Sequence, residues 1–316
     1  MPYKALQSLL WFLALVPLLV SGWGCEGPDG GGIPEETKPM PRVVAIGDLH
    51  GDLEAARVAL RLGGAIDEED RWIGEDLVVV QTGDILDRGD RERAIMDLFQ
   101  RLKEEAGQAG GAVYVLNGNH ELMNAYADLR YVTEGGFADF EGIVDTDPAD
   151  SVLSSFELAQ RARVAAFRPG GPMARLLAEG TFEVILGNSL FVHGGILPEH
   201  IDYGLERMED EVRAWLNDEA PQPDWIRGDR SPVWTRLYSS DPDLSACDTL
   251  SIVLDRLGVQ RMVVGHTVQT TGITSFCGGR VWCIDVGMAA HYGGQPEVLE
   301  IVGDVVRGLR PPSSSY

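Results

Sequence analysis

Short apolar runs recur along the chain, and five of them break off into compact polar segments. Val43-Val44-Ala45-Ile46 runs into Gly47-Asp48-Leu49-His50-Gly51-Asp52. Leu77 to Val80 leads, through Gln81-Thr82, to Gly83-Asp84-Ile85-Leu86-Asp87-Arg88-Gly89-Asp90. Ala112 to Leu116 leads to Asn117-Gly118-Asn119-His120-Glu121, Phe191-Val192 to His193-Gly194-Gly195, and Met262-Val263-Val264 to Gly265-His266-Thr267. Unbroken apolar runs bounded by turn residues predict buried strands whose C-terminal ends carry the polar groups. Helical patterns fall over Leu53–Leu62, Arg91–Ala106, Glu121–Leu129, Phe156–Phe167, Met173–Ala178, Leu205–Leu216 and Leu244–Leu257. Strand and helix alternate up to Leu129, which predicts βαβ units on a parallel sheet. Ile273–Phe276, Val281–Ile284, Val298–Val302 and Val305–Arg307 read instead as antiparallel strands turning at Gly278-Gly279 and Gly303-Asp304. A mixed α/β domain with two packed β-sheets flanked by helices satisfies both patterns. Tyr131 to Ser155 shows little periodicity and reads as an insertion covering one side of the site.

The polar segments carry a coherent chemistry. Asp48 and His50 alternate at one strand end and can approach a single ion, while the Asp84 carboxylate can bridge two. Asn119 offers an amide oxygen, and His193 and His266 offer imidazole nitrogens. Mixed nitrogen and oxygen donors suit Mn, Fe or Zn better than Ca. Two such ions ~3.5–4 Å apart can hold a bridging hydroxide for in-line attack on phosphorus. His120, beside a ligand, is placed to protonate a leaving oxygen, with Asp87 to orient it. Arg88 can grip phosphate oxygens through its planar fork. An isolated Asp-x-His would be an ordinary turn; four of only six histidines in strand-end motifs would not. His200 and His291 lie outside any motif, and a surface or loop position is expected for His200. His291 falls near the site mouth without an assigned role. Trp215, Trp225 and Trp234 read as core residues rather than a substrate groove.

Composition narrows the partners. The chain has 316 residues and a formal net charge of -23, so its surface repels nucleic acid and anionic membranes at long range. Residues 1–24 read as an export signal: Lys4, the apolar run Leu9 to Val20, and small residues before Cys25. The segment also fits a lipoprotein signal, in which Cys25 would be lipidated, so the expected location is periplasmic or cell-surface, with membrane attachment open. Residues 25–41 are Gly- and Pro-rich and read as a flexible linker; the catalytic domain is expected over 42–307 and a disordered tail over 308–316. Cys247, Cys277 and Cys283 remain. The turn at Gly278-Gly279 sets Cys277 opposite Arg280, which leaves Cys247 paired with one of the others, or three buried thiols.

The strand-end motifs together resemble the calcineurin-like metallophosphoesterases, in their phosphoprotein phosphatase branch, which Asp87-Arg88-Gly89 and Glu121 mark off from more distant phosphodiesterases. Phe167-Arg168-Pro169-Gly170-Gly171-Pro172, Ser231-Pro232-Val233-Trp234-Thr235-Arg236 and the segment from Arg261 to Thr267 are similar to the Shewanella-like protein phosphatases. The similarity runs from about Arg42 to Val306. It implies a β-sandwich between helices, with Asp48, His50 and Asp84 on a first metal and Asp84, Asn119, His193 and His266 on a second. It also implies His120 with Asp87 as the proton-donating pair, and Arg88 and Arg236, with Asn119, against the substrate phosphate. For Arg236 the competing reading is a structural ion pair beneath Trp234. The implied substrate is a phosphorylated protein or peptide, phosphotyrosine foremost. A hydrolase of dinucleoside polyphosphates or other small phosphate esters is the second reading. A non-catalytic binding lipoprotein is the third, and it would have predicted loss of a ligand or of His120.

Overall fold

A computed structural model describes residues 41–312, Pro148 excepted. The export signal, Cys25, most of the linker and residues 313–316 lie outside the described residues. Ten strands form two five-stranded sheets. In the first, β1 (Val43–Ile46), β2 (Val78–Gln81) and β3 (Ala112–Val115) are parallel, and β9 (Val298–Val302) and β10 (Val305–Leu309) extend it antiparallel from β1. In the second, β5 (Ser189–Val192), β6 (Arg261–Val264) and β8 (Val281–Cys283) are parallel, with β4 (Glu183–Leu186) and β7 (Thr274–Phe276) as antiparallel edges.

Alternation along the strands makes the sandwich. Val43, Ala45, Val78 and Val80 of the first sheet pack with Phe191, Val263 and Ile284 of the second. The opposite faces, among them Val44, Ile46, Val79, Leu190, Val192, Met262 and Val264, pack beneath the helices. Those helices are α1 (Leu53–Leu62), α2 (Glu92–Ala109), α3 (Asn119–Ala125), α4 (Glu134–Ala138), α5 (Leu158–Phe167), α6 (Pro172–Ala178), α7 (Pro198–Tyr203), α8 (Leu205–Leu216) and α9 (Leu244–Leu257). α1 starts where Asp52 accepts the Ala55 amide at 3.0 Å, and α9 where Asp243 accepts that of Ala246 at 2.8 Å. α2 runs past its predicted end until Gly110, at φ 90°, closes it in the left-handed conformation.

Two differences from the sequence reading concern histidines. The third helix begins at Asn119 rather than Glu121, so Asn119 and His120 project from a helical first turn. His200, expected at the surface, is buried on α7: it accepts the Leu197 amide at 3.0 Å, and its other nitrogen meets Arg230 O at 2.7 Å. Its i, i+3 bond caps a helix too short to show periodicity. β10 also continues to Leu309, past the predicted strand end at Arg307. The cysteines resolve as a Cys247–Cys277 disulfide joining α9 to the end of β7, with Cys283 a buried free thiol. Among the described residues no helix is long and apolar enough to cross a membrane.

Candidate active site

The C-terminal ends of the parallel strands of both sheets converge on one buried cluster. β1 delivers Asp48 and His50, β2 delivers Asp84, Asp87 and Arg88, and the turn after β3 delivers Asn119 and His120. From the second sheet, β5 delivers His193 and β6 delivers His266. The approach is close enough to demand glycine: a Cβ on Gly47 would strike the Ile284 carbonyl, and one on Gly118 the Asp84 carboxylate.

Among the described residues, two groups of donor atoms lie within 4.8 Å of one another: His50, Asp84 and His120, and Asp84, His193 and His266. Asp84 belongs to both. Its Oδ2 is 3.9 Å from His50 Nε2 and 3.3 Å from His193 Nε2. Asp48 Oδ2 is 3.9 Å from the same His50 nitrogen, and its carboxylate accepts the His266 amide at 3.1 Å. Asn119 Oδ1 and His266 Nδ1 lie 2.9 and 3.2 Å from His193 Nε2.

The outward nitrogens separate two kinds of histidine. His50 Nδ1 meets Leu86 O at 2.9 Å, His193 Nδ1 meets Thr82 O at 2.9 Å, and His266 Nε2 meets Trp234 O at 3.0 Å. A backbone carbonyl on one ring nitrogen fixes the tautomer and turns the other toward a metal, the usual surrounding of a ligating histidine. His120 differs: its Nδ1 lies 2.5 Å from Asp87 Oδ2, while its Nε2 is 3.8 Å from Asp84 Oδ2. The donor set is therefore fitted to two cations, with His120 held by a carboxylate beside them.

Electrostatics point the same way. Burial, helped by His120 and Arg88, pushes His50 down to about 3 despite Asp84. Burial works against protonation of His193 as well, yet Asp84 and Asp48 hold it up to about 10. Burial and the neighbouring Asp285 raise Asp48 well above the usual carboxylate range. Carboxylates and imidazoles that shift one another in this way share one close, desolvated cluster, as the donors of a metal site do.

Arg88 sits at the mouth. Its Nη1 is 3.0 Å from His50 Nε2 and donates to Tyr292 Oη, and its guanidinium lies 4.9 and 5.2 Å from the Tyr131 and Tyr292 ring centres. The Tyr131 ring is 5.2 Å from that of His120, which places the start of the insertion over the site. Arg236 is exposed and, among the described residues, makes no salt bridge, so the ion pair beneath Trp234 is not formed. It is close enough to His266 to help depress that imidazole, after burial and His193. Trp215 is a core residue and Trp225 and Trp234 are partly buried against the core, Trp234 also standing edge-on to His266 at 5.8 Å. His291 lines the cleft beside Arg88.

Two buried acids were not singled out as site residues by the sequence reasoning. Glu121 accepts the amides of Asp84 (2.8 Å), Ile85 (2.8 Å), Leu86 (3.3 Å) and Gly118 (2.7 Å), pinning the loop that carries Asp84. Asp285, at the end of β8, accepts the Gly287 amide at 2.9 Å; burial first, then Asp84, raises it to about 6. The signal for Asp285 was the one used elsewhere, since Val281 to Ile284 also runs straight into a polar residue.

A model of the calcineurin-like phosphoesterase family matches residues 41–270, and the chain belongs to that family. Family members bind two metal ions, and the chain is a metal-dependent phosphatase. Among its relatives, Shewanella-like protein phosphatase 2 of Arabidopsis thaliana is 43% identical over 83% of this chain and 75% of its own length. Shewanella-like protein phosphatase 1 of Plasmodium berghei is 27% identical over 85% of this chain and 74% of its own. A solved cold-active protein tyrosine phosphatase superposes with a TM-score of 0.67 at 25% identity, over 85% of this chain and 76% of its own.

Proposed function

We propose that the protein hydrolyses phosphoprotein or phosphopeptide monoesters, phosphotyrosine foremost. The observation that carries the reaction is the His120–Asp87 pair, 2.5 Å apart, beside two donor groups that share Asp84. Asp48, His50 and Asp84 would hold one ion, and Asp84, Asn119, His193 and His266 the other. When bound, two Mn, Fe or Zn ions would supply an acidified water and positive charge against the phosphoryl oxygens. Arg88 and Arg236 orient the phosphoryl group from the mouth. Water attacks phosphorus as the ester P–O bond breaks, and the leaving oxygen takes the proton from His120 Nε2; the attacking water keeps one proton as the hydroxyl of the product phosphate and releases the other, which restores His120. Asp87 holds that ring so that Nε2 faces the scissile bond.

The protein substrate rests on the names of the relatives, two of them protein phosphatases and one a protein tyrosine phosphatase. The aromatic mouth supports it, because Tyr131 and Tyr292 can face a phenyl ester. The Cys247–Cys277 disulfide supports an oxidising compartment, and hence export. The test is hydrolysis of matched phosphotyrosine and phosphoserine/threonine peptides, with a dinucleoside tetraphosphate alongside, with added Mn. Preference for phosphotyrosine supports the reading; turnover of the dinucleotide alone replaces it with small-phosphate hydrolysis.

A further inference from the structure

Below the His120–Asp87 pair, away from the mouth, lies a guanidinium with no exposure to solvent. Arg163 of α5 is fully buried, as are Asp87, Glu92 and Asn124 around it. Each of its five N–H donors has an acceptor. Nε donates to Asn124 Oδ1 at 2.7 Å, and Nη2 to Asp87 Oδ1 at 3.1 Å and Glu92 Oε1 at 3.2 Å. Nη1 donates to Gly136 O at 2.8 Å and to the second Glu92 oxygen. The rings of Phe140 and Phe167 lie 4.8 and 5.2 Å from it. Desolvating an arginine this completely is costly, and full pairing offsets the cost without making the arrangement better than an apolar core. Stability alone therefore does not account for it.

The consequence falls on Asp87. Its Oδ1 receives Arg163 and the Asn124 amide, the latter at 2.9 Å, and its own backbone amide is held by Glu92 at 2.5 Å. Oδ2 alone is left for His120. Asn124 also donates to His120 O at 2.9 Å, so the same side chain grips both members of the pair. We propose that Arg163 is the positioning residue of the proton donor: it fixes the Asp87 carboxylate from below, so that His120 keeps Nε2 aimed at the leaving oxygen. The Gly136 carbonyl extends this grip to α4, tying the insertion to the same carboxylate. The inference rests on the reading of His120 as the proton donor.

A positioning role predicts a dependence on the leaving group that a purely structural role does not. An alkoxide or phenoxide must be protonated as it departs, whereas p-nitrophenolate leaves unaided. In the full chain loaded with Mn, Arg163→Lys keeps the charge and loses the planar fork. Its kcat on phenyl phosphate should fall on the order of 10- to 100-fold, less than the roughly 10²- to 10⁴-fold a general acid contributes, because His120 remains but is misaimed. Its kcat on p-nitrophenyl phosphate should fall far less, with KM and two-ion content unchanged. Asn124→Ala, which removes the other donor on Asp87 Oδ1, should give the same signature and decides the matter if Arg163→Lys does not fold. In a His120→Asn background, Arg163→Lys should add no further leaving-group dependence. Equal losses on both substrates, or a loss that follows metal content, would overturn the assignment. If His120→Asn itself shows no leaving-group dependence, the proton-donor reading falls and this inference with it. If His120→Asn shows it and Arg163→Lys and Asn124→Ala do not, only the role of Arg163 falls.

Discussion

His50, Asp84, Asp87, Arg88 and His266 all adopt positive φ, between 43° and 68°, without being glycine. Each such residue costs of order 1–3 kcal/mol, and strain of this kind survives only where the surroundings overdetermine it. Here Glu121 supplies much of that restraint by accepting four backbone amides around Asp84. Glu121→Ala should therefore release the loop, with a loss of about 3 kcal/mol or more from charge-assisted bonds left unmade. Metal stoichiometry should fall in parallel; a variant that keeps both ions and its urea midpoint would refute the anchoring role. Arg236 is the contrasting case, exposed and without an ion pair among the described residues. Arg236→Ala should raise KM about tenfold while shifting stability by no more than ~0.5 kcal/mol, as surface changes usually do. A normal KM would return Arg236 to the ordinary surface. Away from the site, Glu183 of β4 has a buried carboxylate oxygen without a partner among the described residues, and burial, then Glu209, raises it from 4.5 to about 7. The folded chain thus holds a proton there that the unfolded chain has released, so this group lowers stability progressively as pH rises from about 4.5 through 7. Glu183→Gln should flatten that decline, read as urea midpoints across the interval; an unchanged slope would show that Glu183 titrates normally.

At the scale of elements, the disulfide is the sharpest case. It closes a separation of 30 residues between α9 and the end of β7, an edge strand of three residues. Cys247→Ser should cost roughly 2–4 kcal/mol of stability. The candidate metal cluster hangs from the ends of β1, β2, β3, β5 and β6 instead, so two-ion content should survive the substitution; its loss would mean that β7 supports the site directly. The sequence could narrow the pairing but not choose it, because the turn fixes only the local register and the partner comes from a distant helix. The same division runs through the fold. Strands buried on both faces, and the long helices α8 and α9, were legible because burial imposes a pattern. β4, an edge strand with one exposed position, and α7, six residues opening at Pro198, carry no such pattern. α4 has two glycines within five residues, so it rests on the Thr133 N-cap and on tertiary contacts such as the Arg163 bond to Gly136 O rather than on a pattern. The clustering of the candidate ligands was legible since each follows an apolar strand; Arg163 was not, because an arginine on a helix is ordinarily a solvated residue.

At the scale of the whole molecule, the site is a seam. Asp48, His50, Asp84 and Asn119 come from one sheet, and His193, His266 and Asp285 from the other. Ile284 and Gly47, whose backbones meet beside the cluster, close the same seam from both sides. Asp48, Asp84 and Asp285 gather at this seam from both sheets, and burial raises Asp48 and Asp285. Ions bound by the proposed ligands would act as cross-links between halves of the sandwich as well as reagents, and binding to the folded state alone stabilises it by about 4 kcal/mol at a thousandfold excess over Kd. Chelation should therefore lower Tm by about 10 °C for a domain of this size, given ~2–4 °C per kcal/mol. Added Mn or Zn should restore it. His193→Ala, which removes a proposed ligand from the second sheet only, should lose most of the metal-dependent rise even where one ion still binds, because a single ion held by the first sheet no longer joins the two. A full rise in that variant, or a Tm indifferent to chelation, would place the stabilising contacts within one sheet and leave the sandwich to its apolar core.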